Sequence, residues 1–148
     1  MADGSYPLLP SEVRLYIHDF SDNNHLIDGE EFSDSSILLA MKMAGSDYNT
    51  IPPLSSVPPT MFPSVSILMW GTLAHLFLGK AANLARNTMA YSDAGINVSV
   101  EERAELYLTL GGQYMQQFRD AALKLKVHLN MEDGWGCVKS DYSALPWV

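Results

Sequence analysis

Cysteine is almost missing from this chain. Cys137 is the only one, so no intrachain disulfide can form and folding depends on packing alone. Flanked by Gly136 and Val138, it has no basic neighbour in sequence to draw its thiol toward a reactive thiolate. Bases are scarce too: nine against seventeen acids, for a net charge of −8. That balance argues against a nucleic-acid footprint, which needs a basic face. The four histidines (His18, His25, His75 and His128) stand too far apart for metal-ligand spacing. A glycine-rich phosphate loop, a nucleophile elbow and paired cysteines for zinc are all lacking. The expectation is a chain that is not an enzyme and holds no cofactor. Its opening residues, MADGSYPLLP, carry neither a charged leader nor an apolar run, so no secretion signal is read there.

Apolar residues, by contrast, are plentiful. With 148 residues, 47% hydrophobic and 18% charged, the chain can bury a real core as one domain. Its acidity is uneven: residues 1–50 hold nine acids against Arg14 and Lys42, while residues 51–148 hold eight acids against seven bases. Such an acidic end forms a solvated face, compatible with a basic protein partner.

Periodicity divides the chain into helices. Pro10-Ser11-Glu12 opens the first, with Val13, Ile17 and Phe20 on one stripe. Ser33 or Asp34 starts a second that runs to about Tyr48 and buries Ile37, Ala40, Met41, Ala44 and Tyr48. Five of the eight prolines then fall between Pro52 and Pro63. Proline fixes φ and removes a donor, so residues 50–63 read as an extended strap, packed through Ile51, Leu54, Val57, Met61 and Phe62. The most apolar helix follows, from Ser64 to about Met89. Its uncharged part, Ser64 to Gly79, is 16 residues, short of the ~20 needed to span a bilayer. It reads as a central buried helix with no membrane partner, and His75 as a hydrogen-bonded core residue. Ser99 and Glu102 have the spacing of a capping box. The last helix runs from Val100 to about Leu129, with Ala104, Tyr107, Gly111, Tyr114, Phe118, Ala122, Leu125 and Leu129 on its apolar face. At ~1.5 Å per residue it would span about 45 Å, more than the roughly 35–40 Å width of such a domain. It must therefore project or bend at Gly111-Gly112, where close packing would offset the helix cost of glycine. The expected fold is mainly α: a small helical bundle with two long packed helices over residues 1–133. Residues 134–148 form an extended C-terminal docking arm whose Trp135, Tyr142 and Trp147 bind a partner.

One stretch, FSDNNHLIDGEEF at residues 20–32, has the look of half a calcium-binding loop. With Glu31 as the twelfth residue of such a loop, Asp22, Asn24 and Asp28 fall on ligand positions. The first position is then Phe20, which has no side-chain oxygen, and the sixth is His25, where the turn wants glycine. Starting at Asp19 instead puts Ile27 on a ligand position. The stretch reads better as a polar connection between two helices. Asp22, Asn24, Asp28 and Glu31 remain the weak calcium candidates of an alternative, a calcium-binding regulatory module.

Two longer segments, LIDGEEFSDSSILLAMKMAGSDYNTIPP and AANLARNTMAYSDAGINVSVEERAELYLTLGGQY, resemble small helical virion proteins of tailed bacteriophages. The group most similar is the head-to-tail adaptor, or neck, family. The resemblance implies a structural subunit of a homo-oligomeric, usually twelvefold, ring beneath the portal. Its partners would be the portal, neighbouring neck and tail proteins, and DNA passing without sequence-specific binding. The strap is longer than a minimal adaptor has, and the tail lacks a basic portal-docking run. Another neck subunit or a baseplate subunit is thus a second reading.

Overall fold

The computed structural model describes residues 7–24, 29–87, 92–93, 96–97 and 100–135. Four helices carry it: α1 (Pro10–Ile17), α2 (Asp34–Thr50), α3 (Val65–Arg86) and α4 (Val100–Trp135). Between α3 and α4 lie two short antiparallel strands, β1 (Ser92–Asp93) and β2 (Ile96–Asn97), with Ser92 opposite Asn97. The chain is a mainly α bundle with two long packed helices, as its periodicity implies.

Each helix starts where local chemistry favours it. The backbone N–H of Leu9 donates to the Glu12 carboxylate at 2.7 Å, and Pro10 occupies the first turn, where its missing donor costs nothing. Ser33 caps α2 by accepting from the N–H of Ser36, and Ser64 caps α3 by accepting from that of Ile67. Along α2 the buried residues are Ile37, Ala40, Met41, Ala44 and Tyr48, the stripe expected from spacing.

α3 is the centre. It packs against both α2 and α4, with Leu68, Leu73 and Ala74 fully buried. By length and composition it could cross a membrane; in this fold 44% of its apolar window is buried inside the protein. Two glycines set its distances. A Cβ on Gly71 would lie 2.8 Å from Ala44 Cβ and 2.9 Å from Phe118 Cδ2, so α2 and α4 converge on that point. A Cβ on Gly111 would meet Leu78 Cγ at 2.8 Å, so α4 needs glycine to lie against α3. Gly112, one residue on, faces open space.

Three details differ from expectation. α1 ends at Ile17, where His18 turns the chain, so Phe20 lies beyond the helix and is exposed rather than on its apolar stripe. α4 continues to Trp135 rather than ending near Leu129, because no proline interrupts it and propagation adds a hydrogen bond per residue. At 36 residues it is about 54 Å long at ~1.5 Å per residue. It projects: residues 127–132 are all exposed, Leu129 included. In the strap, Phe62 is buried against Tyr48 (ring centroids 4.8 Å apart), and Ile51 and Val57 pack against the core. Leu54 and Met61 are instead 81% and 73% exposed. Extended chain turns alternate side chains outward, and the strap is held largely by polar bonds. Asn49 accepts from Val57 N–H (2.9 Å) and from the Ser55 hydroxyl (3.1 Å). Lys126 on α4 donates to the carbonyls of Ile51 (2.6 Å) and Pro53 (3.0 Å) while its ammonium sits 4.5 Å from the Tyr48 ring centroid. Burial lowers the Lys126 pKa, because desolvation penalises its charged form.

Gly71 of α3 and Gly112 of α4 invite a paired test. Gly71→Ala should destabilise by roughly 1–2 kcal/mol, because overpacking outweighs the better helix propensity of alanine. Gly112→Ala should stabilise by up to about 1 kcal/mol, since nothing opposes its methyl group. Thermal melting of both variants beside the parent chain reads the two signs.

Candidate functional site

The polar connection after α1 is built around one carboxylate. α1 ends at His18, whose left-handed backbone (φ 55°) turns the chain so that Asp19 points back into the protein. Asp19 Oδ1 accepts from the N–H of Glu31 and from the Asn24 amide, both at 2.7 Å, and Oδ2 accepts from the N–H of Phe32 at 2.9 Å. Asn24 also donates to the Gly29 carbonyl (2.8 Å), and Gly29 itself has φ 124°, a conformation other residues rarely adopt. Beside this pinch lies Arg14, buried on α1. It donates to the Phe32 carbonyl at 2.7 Å and pairs with Glu30 (3.0 Å) and Asp34 (2.8 Å). Burial by itself would raise the Asp19 pKa. The N–H groups of Glu31 and Phe32, the Asn24 amide and the Arg14 charge outweigh it and hold the carboxyl below its ordinary value.

Glu31 leaves this loop on the other side. Its carboxylate accepts from the Tyr107 hydroxyl, 2.9 Å from each oxygen, and pairs with Lys80 of α3 at 3.1 Å. Burial, then the hydrogen bond and charge of Glu31, push the Tyr107 pKa up to about 12, so the phenol remains a donor. Phe77 stands between Phe32, Tyr107 and Tyr114, with ring centroids 5.8–6.1 Å apart, and joins the loop to the long helices.

This geometry places the calcium candidates apart. Asp22 lies exposed in the turn, Asn24 spends its amide on Asp19 and Gly29, and Glu31 faces Lys80 and Tyr107. Asp28 lies outside the described residues. Among the described residues, no three His, Cys, Asp or Glu side chains gather where they could hold a metal ion. His75 bonds to Asp47 at 3.0 Å across α2 and α3, the structural role expected of it. The backbone of Gly134 and Trp135, where the arm was expected to open, belongs to α4. The Trp135 side chain, Tyr142 and Trp147 lie outside the described residues.

Among the described residues, two open surfaces bear on function. A groove of about 420 Å³ runs between α2 and α3, with Phe32, Ala40 and Leu76 among its walls and the 60%-exposed Leu39 and 45%-exposed Met43 also lining it. On the back of α4, Leu123, Val127 and Met131 recur every fourth residue and are all exposed. Sequence reasoning overlooked Arg14 and Lys126. Each carried a signal: Arg14 is the one base in the first 41 residues, and Lys126 follows Phe118 and Ala122 at the same helical spacing. Comparison of the chain with protein families, curated proteins and solved structures finds no match.

Asp19→Ala leaves the buried N–H of Phe32 and the part-buried N–H of Glu31 without their acceptor, and should cost about 2 kcal/mol. Because the folded pKa of Asp19 is lowered, its stabilisation is full above about pH 5. It should drain away as pH falls through that lowered value. In Asp19→Asn this part of the acid sensitivity should vanish, which urea titrations between pH 2.5 and 6 can measure.

Proposed function

We propose that this chain is a structural virion protein, a head-to-tail adaptor or neck subunit of a tailed bacteriophage. It assembles into a homo-oligomeric ring, twelvefold in the resembling family, beneath the portal, and works without catalysis, cofactor or membrane. The observation that carries the reading is the back of α4. A bundle with a sound core nevertheless presents Leu123, Val127 and Met131 to water on a helix that outreaches that core. Apolar stripes of that kind mark interaction surfaces. When the matching patch lies elsewhere on an identical copy, head-to-tail contacts form a ring wherever the rotation between copies closes. The net charge of −8 suits a channel through which DNA passes without sticking. Portal and neighbouring neck or tail proteins are then the partners, and another neck or baseplate position is the second reading. The calcium-module alternative loses support, because Asn24 and Glu31 are committed to protein partners.

Leu123→Glu with Val127→Glu tests the stripe, since both positions are exposed and the folded subunit should tolerate the change. Mass photometry of the parent chain should find a closed ring, and the double variant should fall to single subunits with melting shifted by only a few degrees. A parent chain that stays monomeric at tens of micromolar, and is missing from assembled particles, would sink the proposal. Millimolar calcium should move the melting temperature of neither protein.

A further inference from the structure

The α2–α3 groove and the residues beyond α4 belong together. We propose that residues 136–148 of one copy dock in the α2–α3 groove of a neighbouring copy, with Tyr142 and Trp147 seated on Leu39 and Met43. The inference rests on the ring-subunit reading above, and names a second contact between one subunit and the next.

Three observations carry it. First, the groove fits large rings. Its roughly 420 Å³ lies within the range of small-ligand sites, lined by Phe32, Ala40 and Leu76 with Leu39 and Met43 open to solvent. A methionine thioether is a favoured neighbour for aromatic rings. Ser36, His75 and Asn83 supply polar groups in the same groove for an indole N–H or a phenol hydroxyl, which need partners when buried. Second, the segment itself suits such a site. GCVKSDYSALPWV carries one lysine, one aspartate and two large aromatics, so it brings no net charge against the Glu31–Lys80 pair in the groove.

Third, the lengths separate a neighbour's groove from the segment's own. The close approaches of Gly71 to Phe118 and of Leu78 to Gly111 put α3 and α4 antiparallel. Leu76–Lys80 therefore lie level with α4 residues 109–113. From there to Trp135 the helix rises roughly 35 Å at ~1.5 Å per residue. Tyr142, seven residues past Trp135, can reach back at most about 25 Å, and Trp147, twelve past it, about 40 Å when pulled straight. In its own subunit Tyr142 falls short of the groove, and Trp147 has almost no slack to pass around the bundle. The exposed end of α4 instead carries the segment away from its own core.

Photo-crosslinking of the full chain tests this. Trp147 is replaced by p-benzoylphenylalanine, and equal amounts of ¹⁵N-labelled and unlabelled protein are co-assembled, irradiated and digested for mass spectrometry. The expected products join Trp147's position to peptides holding Leu39–Met43 or Leu76–Asn83, about half of them pairing a labelled with an unlabelled chain. Leu39→Glu with Met43→Glu, both at exposed positions, should lower that crosslink at least tenfold with melting little changed. Crosslinks that fall on α1 or α4, or only within one chain, overturn the docking. If rings form while the crosslinks fall elsewhere, the docking fails and the ring reading stands. A chain that stays monomeric in the same mixture removes both.

Discussion

Where Gly71 would carry a side chain, Ala44 and Phe118 already fill the space. Three helices come within contact of one backbone position, and most of the other packing is measured from there. Had α3 borne a larger residue at that point, α2 and α4 would both have moved outward. Leu68, Thr72 and Tyr48 would then lose the close neighbours that leave them fully buried. The approach at Gly111 fixes a second level seven residues along each helix, and two such points determine an antiparallel register. A two-point constraint of this kind explains how a bundle without disulfides holds one arrangement, since core packing resists sliding by fractions of a turn.

The acidic first third is tied to that frame by few but well-placed charges. Arg14 gathers Glu30, Asp34 and the Phe32 carbonyl, while Asp19 gathers the consecutive N–H groups of Glu31 and Phe32. Glu31 then reaches α3 and α4 together through Lys80 and Tyr107. The loop that looked like an ion site is therefore a clasp between α1 and the long helices. Asp19, Asn24 and Glu31 are aimed at protein donors and acceptors, which is how buried polar groups avoid the cost of desolvation.

Regular elements were legible in the sequence, and interactions between distant residues were not. The five buried positions of α2 follow from one apolar stripe, and Ser33 announces its own helix start, because both signals are local. The close approach at Gly111 could be inferred from the cost of glycine in a helix; the open surroundings of Gly112 could not. α4 ran past Leu129 because no local stop signal interrupts it, and apolar spacing shows where a core ends rather than where a helix does. Apolar character alone puts Leu54 and Met61 inside the strap, whereas the pairing of Asn49 with Val57 decides which side is in. For the loop, composition supplied the residue types of a calcium site. Direction was missing, and direction separates Asn24 from Glu31.

Lys126 gives the strap a consequence of another kind. Its ammonium is fastened to two carbonyls of the strap and lies against Tyr48 of α2. α4 cannot slide by one turn, ~5.4 Å, or roll by one residue, ~100°, without pulling that ammonium free. The projecting end of α4 thus leaves the bundle just past a side chain that ties it to Ile51 and Pro53. A load applied beyond residue 128 bears on that tie together with the core contacts of Ala122 and Leu125.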